Sequence, residues 1–295
     1  MNDRPTEVRD PPERKTDTQP PFPEPHVIHP TSVHTHTVIL LHGRGSNGEE
    51  FADEFFQGET FAELSLRGHF PDFKWVFPNA RERFSTVFQE DLVEWFDIYS
   101  LTDPGKEEEL QVEGLRESVG HIQSLIEKEV QVFGASARDR IILGGISQGC
   151  AVAIITLLAG ACGIGDFVGF NGWMPLSERV KEGFSTISGV DGPECEGLAV
   201  ALRKSLGLEG DGIWHTSGDG MGDGSPARCD DEHLHTPILL SHTTDDHVID
   251  VALGKEMRDT LVGLGLHRVV WKEYESGGHW IPAPEGFEDV LEFLS

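Results

Sequence analysis

Residues 141–150 read Ile-Ile-Leu-Gly-Gly-Ile-Ser-Gln-Gly-Cys, and an apolar run resumes at once as Ala-Val-Ala-Ile-Ile over residues 151–155. Two apolar runs separated by Gly-x-Ser-x-Gly predict a buried strand, a sharp turn and then a helix. The pattern is typical of a nucleophile elbow, in which the Ser147 hydroxyl is exposed and the first helical N–H groups point toward the atom that it attacks. A glycine-rich turn that merely contains serine is the alternative, since the chain has 34 glycines. The flanking strand and helix patterns argue against it.

Strand-like and helix-like segments alternate on both sides of this turn. The apolar runs of strand type occupy residues 37–41, 74–77, 141–146, 166–170, 237–241 and 268–274. Apolar residues recur at helical spacing from Leu115 to Val130 and from Leu253 to Leu264, and residues 284–294 predict a closing helix. This alternation predicts an α/β fold with a mostly parallel central sheet and helices on both faces.

Composition sets the limits of the domain. Residues 1–30 are rich in proline and charge, which predicts a disordered tail, and residues 31–295 then form one domain. Residues 182–232 are dominated by glycine and aspartate and predict a surface insertion. A calcium loop is not indicated there, because the EF-hand spacing with its closing glutamate is absent.

Charge and cysteine usage exclude several classes of partner. The formal net charge is −28, from 51 acidic and 23 basic residues, so we expect neither nucleic acid nor an anionic membrane surface to be bound by charge. No apolar stretch is long enough to span a membrane, and the N-terminal region has no secretory pattern. The four cysteines are far apart and indicate neither disulfides nor a zinc site, which favours a cytoplasmic protein.

A serine nucleophile needs a base and an orienting acid from loops that follow later strands. His279 is the best candidate for the base, because it follows the last predicted strand in a glycine-flanked loop. The acid is expected after residues 237–241, where Asp245 and Asp246 are adjacent and the pattern does not separate them. Asp250, further on, is predicted to cap the next helix.

The loop His42-Gly43-Arg44-Gly45 follows the first predicted strand, where an oxyanion-hole loop belongs in this architecture. A simple tight turn is the alternative, and the elbow downstream favours the oxyanion hole. No metal or cofactor is expected. The histidines near the tail lack a carboxylate or cysteine at ligand spacing. They are His26, His29, His34 and His36.

With these segments identified, the chain resembles the acyl-protein thioesterase and phospholipase/carboxylesterase family of α/β-hydrolases. The matching segments span nearly everything from residue 38 to the C-terminus. They are Leu-His-Gly-Arg-Gly at 41–45, Phe-Pro-Asn-Ala at 77–80, Trp-Phe-Asp at 95–97, Gly-Gly-Ile-Ser-Gln-Gly at 144–149, Gly-Trp-Met-Pro at 172–175, residues 242–250 and Gly-His at 278–279.

The resemblance implies roles for individual residues. The family's acid lies four residues beyond the histidine that ends its strand, which here selects Asp246 after His242. Ser147 then corresponds to the nucleophile and His279 to the base, and the backbone N–H groups of Arg44 and Gln148 correspond to the oxyanion hole. The chain departs from the family at Thr243, where glycine is usual, at Arg44, which is often apolar, and in its longer insertion.

The sequence therefore predicts a serine hydrolase that cleaves acyl esters or thioesters through an acyl-enzyme. The resemblance implies acyl-protein thioesterase activity on S-acylated proteins, a reaction of lipid metabolism, with a general carboxylesterase or lysophospholipase as the runner-up. A catalytically silent binding protein with the same fold is an alternative of another class. Apolar residues near the predicted loops are candidates for an acyl-binding groove, and each could equally belong to the core. They are Phe88, Leu92, Trp95, Trp173, Met174, Trp280 and Ile281.

Overall fold

The computed structural model describes residues 20–134, 137–160, 163–185 and 235–295, together with residues 199, 203, 204 and 207. Seven strands form the central sheet, in the order β1-β3-β2-β6-β7-β8-β9, and a separate hairpin pairs β4 with β5. The strands are β1 (His26–Ile28), β2 (His36–Leu41), β3 (Phe73–Phe77), β4 (Arg81–Ser85), β5 (Glu90–Glu94), β6 (Ile141–Ile146), β7 (Asp166–Phe170), β8 (Ile238–Thr243) and β9 (Val269–Tyr274). Every strand pair of the central sheet is parallel except β1 with β3, which confirms the predicted mostly parallel sheet.

Helices cover both faces of this sheet, as the alternating pattern predicts. The helices are α1 (Gly48–Phe55), α2 (Leu66–His69), α3 (Glu109–Phe133), α4 (Gln148–Gly160), α5 (Ser177–Ser185), α6 (Val251–Gly263) and α7 (Glu285–Leu294). Along β2, Ile39 and Leu41 pack in one core with α3, α4 and α6, while Val38 and Leu40 pack in the other with α1 and α7. Successive strand residues face opposite sides of the sheet, so a strand buried on both faces has a continuous apolar sequence.

The predicted boundary at residue 31 is wrong, because the chain is ordered into the sheet before that point. Residues 26–28 form β1, and Arg81 Nη1 donates to the carbonyl oxygen of Pro20 at 2.7 Å. The Phe22 ring stacks on the His121 ring at 4.1 Å and lies 4.1 Å from the Arg81 guanidinium. A proline-rich segment with few apolar residues can therefore pack against a folded domain, here through contacts with Arg81 and His121. Residues 1–19 and most of the predicted insertion, from residue 186 to 232 apart from four single residues, lie outside the described residues.

The β4–β5 hairpin is an element that the sequence did not indicate. Its strands read Arg-Glu-Arg-Phe-Ser and Glu-Asp-Leu-Val-Glu, which are rich in charge and lack a clear alternation. Arg81 lies opposite Glu94 and Arg83 opposite Leu92 in the hairpin. Both arginines form ion pairs with Glu117 of α3, at 2.5 and 2.7 Å, which join the hairpin to the domain. The hairpin ends beside the serine turn, where the N–H of the next residue, Trp95, donates to Gln148 Oε1 at 2.9 Å.

Candidate active site

The turn between β6 and α4 has the geometry of a nucleophile elbow. Ser147 adopts a left-handed conformation with φ of +55°, a strained value for a residue with a side chain. Its N–H donates to the Phe170 carbonyl at 2.9 Å, which fixes the turn against the next strand. A Cβ atom at Gly149 would lie 2.4 Å from the Leu41 carbonyl oxygen, so only glycine fits between the turn and β2.

The loop after β2 is held in place by a buried imidazole. The Ala80 N–H donates to His42 Nε2 at 3.1 Å, so Nδ1 carries the proton and donates to the Gly43 carbonyl at 2.7 Å. Burial lowers the pKa of His42 to about 4, which keeps the ring neutral. The Gly45 N–H donates to the Val93 carbonyl at 2.8 Å. These bonds on either side of Arg44 fix its peptide beside the elbow.

Gln148 joins the elbow to the hairpin. Its Oε1 accepts from the Trp95 N–H at 2.9 Å and its Nε2 donates to the Phe96 carbonyl at 2.7 Å. The Trp95 indole N–H in turn donates to the His42 carbonyl at 2.9 Å. The side chain of Gln148 is therefore a buried structural bridge, and its backbone N–H stays at the start of α4.

An imidazole and a carboxylate meet at the carboxyl ends of β8 and β9. His279 Nδ1 lies 2.7 Å from Asp246 Oδ2, and Asn171 Nδ2 donates to the same oxygen at 2.9 Å. The other oxygen accepts from the Val248 and Ile249 N–H groups at 2.8 and 3.0 Å. Burial acts to raise the pKa of Asp246, but hydrogen bonds from His279, Asn171 and the two N–H groups outweigh it, and the pKa is lowered. Asp246 is therefore an anion that contacts the imidazole.

The neighbouring aspartates, which the sequence alone does not separate, have different contacts. Asp245 accepts from the Gly278 N–H at 2.8 Å and the Gly277 N–H at 3.3 Å, so it supports the histidine loop without contacting the ring. Asp250 accepts from the Ala252 N–H at 2.8 Å and caps α6, as predicted from the sequence. Asp246 alone of these three bonds to His279.

A second imidazole lies behind Asp246. His242 Nε2 is 3.0 Å from the Ile249 carbonyl and 3.3 Å from Asp246 Oδ2, and the ring is fully buried. Burial lowers the pKa of His242 despite the raising effects of the Ile249 carbonyl and Asp246. A neutral His242 places a dipole next to the Asp246 carboxylate but does not offset its negative charge, which acts on His279.

Ser147 and His279 line the same cavity, of about 180 Å³. Arg44, Gln148, Trp173 and Trp280 also line it, each of them a residue predicted from the sequence. The cavity also includes residues that the sequence analysis did not assign to the site, from the loop after β2, from α1, from the segment before α3, from β6 and from the loop after β8. These are Ser46, Phe51, Glu54, Leu101, Ile146 and Val248.

The other predicted groove residues do not line this cavity. Trp95 and Met174 are fully buried in the hydrophobic core. Ile281 is also buried and lines a neighbouring groove of about 950 Å³. Phe88 is 51% exposed at the tip of the hairpin, where its ring lies 5.2 Å from the Arg44 guanidinium, and Leu92 is half-buried on β5. An apolar residue next to a catalytic motif in sequence can face the core or the solvent, and the periodicity of an irregular segment does not distinguish these cases.

Two features of the described part of the chain bear on membranes and metals. No helix there is long and apolar enough to cross a membrane. No cluster of three or more histidine, cysteine, aspartate or glutamate side chains there could hold a metal ion.

A buried carboxylate lies at the end of β5, directly before Trp95, which bonds to Gln148 of the elbow. Glu94, the last residue of β5, is fully buried, and neither of its side-chain oxygens has a hydrogen-bond partner. Burial raises the pKa of Glu94 to about 7, and Asp97 adds to this effect, while Arg44 and Arg83 oppose it. The folded protein therefore holds a proton on Glu94 under conditions where the unfolded chain does not.

Replacing Glu94 with glutamine is expected to stabilise the protein near pH 8 but not near pH 5. From pH 4.5 to 7 the unfolded chain is ionised at this position while the folded protein stays protonated, so the free energy of unfolding falls as pH rises. Glutamine removes this loss, which we expect to be about 3 kcal/mol above pH 7. Urea unfolding at both pH values measures the difference. Exposed Glu90 on the same strand provides the matched control as Glu90→Gln, and equal effects of the two variants would contradict the assignment.

A mostly parallel sheet with helices on both faces and a serine on a strained strand-to-helix turn is the arrangement of an α/β-hydrolase. The family and the relatives below place it among serine hydrolases of the esterase and thioesterase type. A family profile described as phospholipase/carboxylesterase matches residues 23–198. The chain belongs to this family.

Relatives and solved structures are consistent with this assignment. Acyl-protein thioesterase 1 of Yarrowia lipolytica is 29% identical over 278 residues, which cover 94% of this chain and 96% of that protein. Acyl-protein thioesterase 1 of Schizosaccharomyces pombe is 33% identical over 163 residues, 55% of this chain and 66% of that protein. The crystal structure of Zea mays acyl-protein thioesterase 2 superposes with a TM-score of 0.63 at 24% identity, covering 92% of this chain and 98% of that one, a likeness of fold.

Proposed function

We propose that Ser147, His279 and Asp246 form the catalytic triad of a serine hydrolase. The observation that carries the proposal is that an imidazole hydrogen-bonded to a buried carboxylate lines the same cavity as a serine on a strained elbow. This is the order of roles that an acyl-transfer enzyme requires, with nucleophile, base and orienting acid in series.

The reaction follows from these positions. Asp246 accepts from His279 Nδ1–H, so Nε2 is free to take the proton of the Ser147 hydroxyl. The serine oxygen then attacks the acyl carbon, and the oxyanion accepts hydrogen bonds from the backbone N–H groups of Arg44 and Gln148. His279 returns the proton to the leaving thiolate or alkoxide, an acyl-enzyme forms, and water cleaves it by the reverse proton path. The chemistry uses no cofactor or metal.

The substrate that we propose is a fatty acyl thioester on protein cysteine, with small carboxylic esters and lysophospholipids as the runners-up. Support comes from the relatives, which are acyl-protein thioesterases by name. The cavity of about 180 Å³ is smaller than typical ligand pockets of roughly 300–1,000 Å³. It shares Glu54 and Trp280 with a groove of about 950 Å³ between α1 and the segment after β9. A long acyl chain would leave the cavity along this groove.

A comparison of two substrates tests this choice. We expect kcat/KM for a palmitoylated cysteine peptide to exceed that for a short-chain ester of the same leaving-group reactivity, because only the long chain can reach Ile281, Pro282 and Phe287, which line the groove together with polar and acidic residues. The two rates are measured with the same preparation, and Ser147→Ala supplies the blank. A clear preference for the short ester would remove the depalmitoylase proposal and retain the esterase.

The alternative from another class is a binding protein that retains the fold without activity. A serine-directed fluorophosphonate probe separates the two, since it labels only an activated serine. Labelling of the wild-type protein and not of Ser147→Ala supports the enzyme, and an unlabelled wild-type protein supports the binding protein.

We propose that the protein works in the cytoplasm. Cys150 is a free, fully buried thiol, and free thiols are typical of a reducing compartment.

A further inference from the structure

Two buried polar side chains hold the peptide that precedes His279. Thr243, the last residue of β8, donates its hydroxyl hydrogen to the Gly278 carbonyl oxygen. Asn171, directly after β7, approaches that oxygen with its Nδ2 at 3.3 Å, and the same nitrogen lies 2.9 Å from Asp246 Oδ2 and 3.4 Å from Thr243 Oγ1. Both side chains are at most 1% exposed. Neither residue belongs to the proposed triad, yet together they contact its acid and the backbone of its histidine.

The histidine loop needs such fixation. Gly277 and Gly278 have φ of +144° and +63°, and glycine in these regions leaves the backbone with many alternative conformations once its contacts are lost. Asp245 accepts from the Gly278 N–H at 2.8 Å and so fixes the peptide between Gly277 and Gly278. Thr243 and Asn171 bond to the Gly278 carbonyl and fix the next peptide, which leads into His279.

Asn171 is itself placed by the backbone. It has φ of +46°, a left-handed conformation that asparagine tolerates better than most residues, and its N–H donates to the Ser241 carbonyl at 2.9 Å. This conformation holds the asparagine at the carboxyl ends of β7 and β8, where its single amide nitrogen bridges the acid and the histidine loop.

We propose that Thr243 and Asn171 are positioning residues, which hold His279 at hydrogen-bond distance from Asp246 and directed to the Ser147 cavity. The inference rests on the proposed function for its kinetic consequence. Thr243 lies where the family that the chain resembles usually has glycine. Glycine has no hydroxyl, so the hydrogen bond to the Gly278 carbonyl depends on the threonine of this chain.

The hydroxyl and the methyl group of Thr243 can be separated by experiment. The Thr243 Cγ2 atom also packs against the loop, 3.0 Å from the position that a Cβ of Gly277 would occupy. Thr243→Val keeps the shape and removes the hydroxyl, whereas Thr243→Ser keeps the hydroxyl and removes the methyl group. We expect Thr243→Val to lower kcat about tenfold with KM unchanged, since a buried carbonyl loses its main donor, and Thr243→Ser to stay within about twofold of wild type.

Thr244→Val is the matched control. Thr244 is exposed, and its hydroxyl donates to the Glu275 carbonyl at 3.2 Å, a bond of the same kind that does not reach Gly278. We expect this variant to have wild-type kinetics. If Thr243→Val fails to fold, as judged by thermal unfolding, Thr243→Ala takes its place against Thr243→Ser.

A measurement on the resting protein separates this inference from the proposed function. Solvent exchange of the His279 Nδ1 proton, followed by NMR, is expected to be about tenfold faster in Thr243→Val than in the wild type and Thr243→Ser, because the ring–carboxylate bond opens more often. Equal exchange in all three proteins, or an equal loss in Thr243→Ser and Thr243→Val, overturns the inference. Wild-type turnover no greater than that of Ser147→Ala overturns the proposed function instead, and the exchange rates still decide the positioning role.

Discussion

Replacing Ser147 with alanine is expected to lower kcat by a factor of about 10⁶, with the fold unchanged. The hydroxyl is the group at the elbow that forms the acyl-enzyme, so the variant retains only the contribution of the cavity and the backbone donors. The expected residual rate, about 10³ to 10⁴ above that in water, comes from those donors. Turnover of a chromogenic ester, together with fluorophosphonate labelling, measures the loss.

The same assay tests whether the triad acts as a unit. His279→Ala is expected to lose nearly as much activity as Ser147→Ala, and the double variant no more than either, because a nucleophile without its base is as inactive as a base without its nucleophile. Ser124→Ala is the control, since Ser124 is exposed on α3 and its hydroxyl donates to the His121 carbonyl. Losses that add in the double variant would mean that the two residues act independently, against the proposed mechanism.

The fold could be predicted from the sequence wherever burial on both faces of the sheet leaves a continuous apolar run. The strand at residues 141–146 and the helix after it are such runs, and their residues are fully buried with the single exception of Gly160. The β4–β5 hairpin could not be predicted, because its strands lack an apolar alternation and its arginines, Arg81 and Arg83, form ion pairs with Glu117 of α3, which is distant in sequence. Strand β1 could not be predicted, because the residues around it are rich in proline. These residues are held by Arg81 and His121, which come from other parts of the chain.

The candidate site likewise contains residues that could be predicted from the sequence and residues that could not. A residue on a sharp turn or after the last strand leaves a local signal, so Ser147 and His279 could be proposed from the pattern. Residues that act through one hydrogen bond across the sheet leave none, which is why Asn171 and Thr243 were missed as contacts. The left-handed φ of Asn171 is the single local feature that marks it, and an asparagine directly after a strand is a weak signal in sequence.

Replacing Asp246 with asparagine is expected to lower kcat by a factor of about 10⁴, whereas Asp245→Asn should lower it by no more than about threefold. Asp245 accepts backbone N–H groups at the exposed edge of the loop, and an asparagine oxygen can still accept them. Parallel measurements of kcat for the two variants compare neighbouring carboxylates of equal charge. A mild Asp246→Asn and a severe Asp245→Asn would mean that the acid has been placed one residue out of register.

The severity at Asp246 follows from the donors around it. Four hydrogen bonds reach the carboxylate, two from backbone N–H groups to one oxygen and two from Asn171 and His279 to the other. An asparagine that keeps its oxygen toward the backbone turns its NH₂ group toward two further donors. The ring then avoids the clash by carrying its proton on Nε2, and in that tautomer it cannot accept the proton of Ser147. The loss of rate therefore comes from a misplaced proton rather than from a misplaced ring, and restoring only the negative charge elsewhere in the loop would not recover it.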